Sequence, residues 1–385
     1  MSKKKIVSYQ GFEQGPIRPP SEASSLLIRV TRNCPWNHCT FCPVYKGTRF
    51  SLRPVDDVIR DIDQIKKQIQ RIQSECASDT VNHNVTQTLW NQTQKDEEAA
   101  FHAALNWFSN GMKSIFIQDA NSLIIKPAHM VRILTHLKKC FPQIKRITSY
   151  ARSHTIARIS QEDLKTIRSA GLNRIHIGLE SGSDEVLKLM KKGATQNDHI
   201  NAGLKVKNAN MELSEYVMPG LGGKELSEKH ALETAIAINQ INPDFIRFRS
   251  LAIPSGIPLR EMTDKKLFTP CTDMEVAHEI HLMIRHFDKI NSMITSDHIL
   301  NLFEDVQGKL PDDKQKVLSI IDNFLQLPPD ERVFFQVGRR LGIIRFLHQL
   351  QQPSLRKQVQ KICYQMNVTP DTVDKNIQEV IQRFI

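Results

Sequence analysis

Three cysteines stand within nine residues near the N-terminus, in Cys34-Pro-Trp-Asn-His-Cys39-Thr-Phe-Cys42. Thiols this dense oxidise or pair unless they hold a metal or a cluster. The other cysteines, Cys76, Cys140, Cys271 and Cys363, are scattered singly and form no second trio. The residues alone leave three chemistries open. Zinc would draw on Cys34, Cys39, Cys42 and His38, but adjacent His38 and Cys39 are poorly placed to share one tetrahedral ion, and no C-x2-C pair follows. A [2Fe–2S] site matches C-x4-C-x2-C with Cys76 as a fourth ligand by count. Against it, a long helix intervenes, and Trp36 and Phe41 crowd a loop where Gly, Ser or Ala would let backbone approach a cluster. A [4Fe–4S] cube on three thiolates would keep one iron open, as a catalytic metal requires.

Further downstream, two stretches carry polar side chains at strand spacing. In Arg174-Ile-His-Ile-Gly-Leu-Glu180, the apolar Ile175, Ile177 and Leu179 alternate with Arg174, His176, Gly178 and Glu180. In a barrel whose apolar strand face packs on outer helices, the polar set points inward. Phe245-Ile-Arg-Phe-Arg249 turns Arg247 and Arg249 inward together by the same alternation. Two guanidinium groups there suit a carboxylate or phosphate, or else pair with inward carboxylates. His176 is a catalytic candidate that reads equally as a hydrogen-bonded filler, and Glu180-Ser181 reads also as a helix cap. Pro219-Gly-Leu-Gly-Gly223 is a turn that permits close backbone approach to a ligand. In Thr295-Ser-Asp-His298, either Asp297 and His298 handle protons over the barrel mouth, or Ser296 or Asp297 caps a helix over 298–306.

These residues need a frame. Residues 1–24 are polar and Pro-rich, an extended lead-in. Leu26-Leu-Ile-Arg-Val30 is a first strand ending at the cysteine loop. Val55, Val58, Ile59, Ile62, Ile65, Ile69 and Ile72 share one helical face after Pro54. From Cys76 to about Lys95 the chain is polar and aperiodic, so 76–98 reads as an insertion or mobile loop, with a helix over 99–108 behind it. Strands over 114–118, 146–150, 174–179, 212–218 and 244–251 then alternate with helices over 127–140, 160–170, 195–208 and 227–240. After Pro258 strands cease, and helices are expected over 274–290, 298–306, 314–325, 331–350 and 372–385. The domains are thus a core over 25–262 and an α-helical region over 263–385. The fold class is α/β, a partial (βα)6 TIM-like barrel with a C-terminal α-helical region, six units where a closed barrel has eight.

Over residues 25–260 the chain resembles the radical S-adenosylmethionine (SAM) superfamily, closest to its branch containing oxygen-independent coproporphyrinogen oxidase. There the cysteine loop follows the first strand of a six-unit partial barrel. The resemblance implies a [4Fe–4S] cluster on Cys34, Cys39 and Cys42, with SAM completing the open iron. The first gap departs from the family's usual C-x3-C by one residue. The resemblance implies that Phe41 contacts the adenine side of SAM, that Asp119 and Asn121 in Gln118-Asp-Ala-Asn121 substitute for a Gly-Gly-Glu turn binding the SAM amino group, and that Ser149 and Arg152 lie near its carboxylate. Arg152 reads as well as a solvated loop charge. The fourth-strand motif implies that Gly178 and Glu180 line the SAM ribose, a carboxylate being able to accept both hydroxyls. The activity implied is reductive cleavage of SAM to a 5′-deoxyadenosyl radical that abstracts hydrogen from the substrate.

Composition bounds the rest. The 385 residues carry 52 Lys and Arg against 41 Asp and Glu, a formal net charge of +11 that attracts anionic partners, though no dense basic tract appears. The resemblance implies a small-molecule or RNA substrate and an external low-potential electron donor of flavodoxin or ferredoxin type. No signal peptide or membrane span is read, so the expected compartment is cytoplasmic. Nothing ahead of the first strand reads as a cobalamin domain and no second cysteine trio appears, so neither a cobalamin-dependent methylase nor sulfur insertion from an auxiliary cluster is expected. The rival reading is a non-catalytic iron–sulfur or zinc protein with a helical interaction domain.

Overall fold

The computed structural model describes residues 9–76 and 83–381. The chain divides into two compact units, one of Met1–Pro35, Gly47–His176 and Asn208–Met211, the other of Trp36–Lys46, Ile177–Lys207 and Glu212–Ile385.

In the first unit, β1 (Leu26–Arg29), β2 (Ser114–Gln118) and β3 (Arg146–Ala151) are parallel neighbours, in register Leu26↔Ile115 and Ser114↔Arg146. All five residues of β2 are buried, as expected for a strand covered on both faces. The covering helices are α1 (Val55–Glu75), α2 (His83–Asn91), α3 (Glu98–Ser109) and α4 (Pro127–Cys140), whose Pro127 sits in the first turn. A short α5 (Ser153–Ile156) precedes α6 (Gln161–Ala170). Ser160 caps α6 by accepting the Asp163 N–H, and Gly171 ends it at φ 126°. The lead-in is tied down at Gly15 and Ile17, its first eight residues lying outside the described ones: Gln118 accepts the Gly15 N–H and donates to the Gly15 and Ile17 carbonyls.

The fourth strand, β4 (Arg174–Glu180), begins in the first unit and ends in the second. In the second unit β5 (Glu212–Val217), β6 (Phe245–Phe248) and β7 (Met293–Thr295) run parallel, and β8 (Gly308–Lys309) closes the edge antiparallel. Its helices are α7 (Asp184–Leu189), α8 (Gln196–Asn208), α9 (Gly223–Ile241), α10 (Pro258–Asp264), α11 (Asp273–Arg285), α12 (Lys314–Leu325), α13 (Pro329–Arg340), α14 (Pro353–Gln365) and α15 (Val373–Ile381). The architecture is α/β, a mostly parallel TIM-like partial barrel with a helical C-terminal region.

Four expectations are corrected. Strands do not cease after Pro258, because three-residue β7 pairs with β6 although it is too short to show a period. Residues 298–306 form no helix; the Asn301 side chain donates to Phe248 O and Ser296 Oγ and accepts from Ser250 N, so side-chain bonds replace a helical ladder. Within 76–98, His83–Asn91 is helical and Lys95–Glu97 is a 3-10 turn, while 77–82 lie outside the described residues. The helix expected over 331–350 stops at Arg340, Gly342 follows at φ 71°, and α14 was not expected at all.

Candidate functional site

The cysteine loop leaves β1 through Asn33, whose positive φ of 68° suits the left-handed conformation that Asn tolerates. Its backbone N–H donates to Asp119 Oδ2 at 3.1 Å, and its side chain donates to Arg49 O at 2.7 Å. Asn37, inside the first gap, is also left-handed at φ 47°. Asn37 donates to Tyr45 O, while Lys46 Nζ donates back to Asn37 O at 3.0 Å, closing the loop's second half. Cys34, Cys39 and Cys42 are all half-buried. Cys39 and Cys42 pack on an apolar cluster of Phe41, Val186, Met190, Leu221, Ile257, Leu259 and Phe268. Soft thiols, three to a loop and partly shielded from water, fit an iron–sulfur cluster.

Phe41 is buried, with Lys192 Nζ 5.9 Å from its ring centre. Lys192 also donates to Glu180 Oε1 at 3.0 Å. Glu180 ends β4 with φ 64°, a conformation costly for a residue with a Cβ. Gly178 makes room for that carboxylate: a Cβ there would lie 2.2 Å from Glu180 Oε1. Glu180 does not cap α7, since Ser183 holds the cap position and Ser181 bonds His230 Nδ1 at 2.8 Å. Trp36 donates its indole N–H to Lys191 O at 2.7 Å, and a Cβ on Gly193 would strike its ring. The Lys191-Lys-Gly193 run is thus part of the site, and sequence reasoning missed it. Its only signal was a pair of cations followed by glycine.

Glu215 on β5 was also missed. It is fully buried with neither carboxyl oxygen hydrogen-bonded. Burial and then the nearby Glu180 charge, against Lys192, raise it well above the usual carboxylate range.

In the first unit, Asp119 is buried and accepts from Arg29 Nη2 at 2.8 Å and Nε at 3.0 Å. Asn121 uses both ends of its amide, donating to Thr155 Oγ1 at 2.9 Å and accepting the Arg152 N–H at 3.0 Å. Ser149 donates to the Tyr150 and Ile117 carbonyls. Arg152 is half-buried at the start of α5. His176 is buried beside Tyr150 and Phe116 and lies 3.7 Å from Glu22 Oε1. Burial pushes Glu22 up, but the nearby His176, the Ser25 hydroxyl bond and the Arg146 charge prevail and hold it at about 2. That arrangement is an internal polar group rather than an exposed base.

Arg247 and Arg249 differ in their partners. Buried Arg247 donates to Ser214 Oγ and to Asp297 Oδ2, both at 3.0 Å, the carboxylate pairing left open by the sequence. Arg249 lies over the Tyr216 ring at 5.1 Å. With no helix at 298–306, Ser296 and Asp297 cap nothing. His298 is pushed down to about 4 by burial and then by the Arg249 charge, so it is neutral near pH 7, with Nδ1 accepting the Leu300 N–H.

Residues 28–235, just over half the chain, match the radical SAM superfamily. The chain belongs to that family, is an enzyme, and has a [4Fe–4S] cluster and SAM as its cofactors. Among curated proteins it is similar to the tRNA uridine(34) acetyltransferase of Methanocaldococcus infernus, 26% identical over 31% of this chain and 23% of that protein. The same enzyme of Methanocaldococcus jannaschii is 22% identical over 30% and 21%. Among solved structures, Methanocaldococcus infernus Elp3 lacking its N-terminus matches at TM-score 0.41 and 18% identity, over 55% of this chain and 54% of that one. The chain spans less than a quarter of the length of these curated relatives. They do not support the coproporphyrinogen-oxidase-like branch expected from the fourth-strand motif. No helix among the described residues is long and apolar enough to cross a membrane.

Proposed function

We propose that this chain uses SAM to abstract hydrogen from an RNA substrate of the tRNA class. The observation that carries the substrate is the partial likeness to tRNA uridine(34) acetyltransferases, together with a net charge of +11. The acetyl transfer named for those relatives is not carried over, because most of their length has no counterpart here. The bound cofactors supply a 5′-deoxyadenosyl radical by reductive cleavage of SAM. The chain's residues bind, orient and shield. Cys34, Cys39 and Cys42 hold the cluster. Glu180, fixed by Lys192 and given space by Gly178, accepts ribose hydroxyls, and Phe41 offers an apolar face to adenine. Arg249 is the better candidate for an anion of SAM or substrate, since Arg247 is engaged by Asp297. Asp119, Asn121 and Ser149 act by holding the loops after β2 and β3 in place, leaving Arg152 as the carboxylate candidate there. The electron donor is an external flavodoxin or ferredoxin type protein, and the compartment is cytoplasmic.

The test is anaerobic reconstitution with iron and sulfide, then SAM and dithionite with and without bulk tRNA. A cubane complement of iron and 5′-deoxyadenosine formation accelerated by tRNA are expected, and Cys39→Ala should lose both iron and cleavage. If small-metabolite extract accelerates cleavage and tRNA does not, the RNA reading fails while the enzyme stands.

A further inference from the structure

One cluster of metal-ligating side chains shares no residue with the cysteine loop. Asp63 on α1 meets His136 and Cys140 on α4. His136 and Cys140 are four residues apart on one helix, so they lie on the same face, one turn apart. Asp63 Oδ1 lies 2.7 Å from His136 Nε2, Cys140 Sγ lies 3.5 Å from the same nitrogen, and the sulfur is 3.9 Å from the carboxylate oxygen.

The convergence on a single ring nitrogen decides what kind of group this is. A nucleophile relay places thiol and carboxylate on opposite imidazole nitrogens, so that the carboxylate orients the ring while the other nitrogen takes the proton. Here carboxylate and thiol compete for Nε2, which can satisfy only one of them through its proton. Three donors aimed at one point suit a cation instead. Around a tetrahedral zinc, bond lengths of about 2.0–2.3 Å set donor separations of about 3.3–3.7 Å, so small side-chain rotations bring all three atoms to the required spacing. The donor set is one thiolate, one imidazole and one carboxylate, which favours zinc among common divalent ions over magnesium or calcium. Asp63 is exposed and the other two are half-buried, which leaves a face for water as fourth ligand.

We infer that Asp63, His136 and Cys140 form a surface zinc site that fastens α1 to α4. The site is separate from the cluster loop, and the ion bridges two helices that otherwise meet through side-chain packing and the Arg132–Asp56 pair at 2.7 Å.

Zinc K-edge absorption tests this because it is blind to iron. The full chain, its cluster reconstituted, is loaded with zinc chloride and desalted. The expected shell is one sulfur at about 2.3 Å with the remaining ligands nitrogen or oxygen at about 2.0–2.2 Å. Cys140→Ser should give a shell without sulfur. Cys140→Ser, His136→Gln and Asp63→Asn should each weaken zinc retention at least about tenfold. A triple Cys34, Cys39 and Cys42 to Ala chain should keep the one-sulfur shell, whatever the fate of the SAM chemistry. A shell of three sulfurs, no retained zinc, or a spectrum unchanged by Cys140→Ser would overturn the assignment.

Discussion

Lys192 Nζ stands 3.0 Å from Glu180 Oε1, bringing a loop cation to the end of the fourth strand. The pair is mostly shielded, each side chain being 13% exposed, so the carboxylate is held in one place before any ligand arrives. Gly178 leaves the space it occupies, and an alanine Cβ would sit 2.2 Å from the carboxylate oxygen. Hydrogen bonds to a charged group contribute about 1.5–3 kcal/mol, so Glu180→Gln is expected to weaken SAM binding roughly tenfold to a hundredfold. Gly178→Ala should match it by displacing the carboxylate, with iron content unchanged in both. Isothermal titration with SAM on the reconstituted chain checks this; wild-type affinity in Gly178→Ala would separate the carboxylate from SAM.

The two arginines of β6 should divide into different phenotypes. Arg247 is buried and paired, so Arg247→Ala strands Ser214 and Asp297 and is expected to cost stability, about 2 kcal/mol, less than a fully buried pair because Asp297 reaches solvent. Arg249 rests on Tyr216, and Arg249→Ala should leave the melting temperature nearly unchanged while slowing SAM-dependent turnover. Thermal melts alongside 5′-deoxyadenosine yields make the comparison. A stable, inactive Arg247→Ala would reverse the two roles.

A buried neutral pair in the second unit sets a pH signature. Glu279 accepts from Gly220 N and Ser227 Oγ, yet burial outweighs both bonds and raises it to about 7. His230, 3.6 Å away, is lowered to about 4 by burial. A raised carboxyl pKa favours folding fully below the unfolded value, and the benefit fades as pH climbs from about 4.5 through 7. The depressed histidine acts oppositely, its contribution fading as pH falls from about 6.5 through 4. Removing the carboxyl should therefore make Glu279→Gln gain stability relative to wild type between pH 4.5 and 7, by on the order of 3 kcal/mol. Urea titrations across that range read the difference; a constant offset would mean Glu279 is ionised throughout.

Much of this molecule can be read from residue order because its strands are nearly pure. Ser114–Gln118 is a bounded run buried along its length, Arg146–Ala151 is buried except at Arg146 and Tyr150, and α4 is framed by Pro127 and the loop at Phe141. The region 298–306 misleads because Leu300, Leu302, Phe303 and Val306 are buried at near-helical spacing, while the backbone is tied by Asn301 instead. Glu180 is visible through alternation with Ile177 and Leu179. Its partner Lys192 is not, since a loop contact twelve residues on follows no period. Likewise Arg29, an unremarked strand residue, is what engages Asp119, and only the parallel pairing of β1 with β2 brings them together.

Glu180 occupies a backbone position that glycine would fill with less strain, since its φ of 64° costs a residue with a Cβ about 1 kcal/mol or more. Selection for heat resistance and selection for catalysis should therefore part company at this codon. Once Lys192→Met has removed the cation that Glu180 pairs with, a library screened only for survival on heating would enrich Glu180→Gly, and the same clones would drop out of a screen for SAM cleavage.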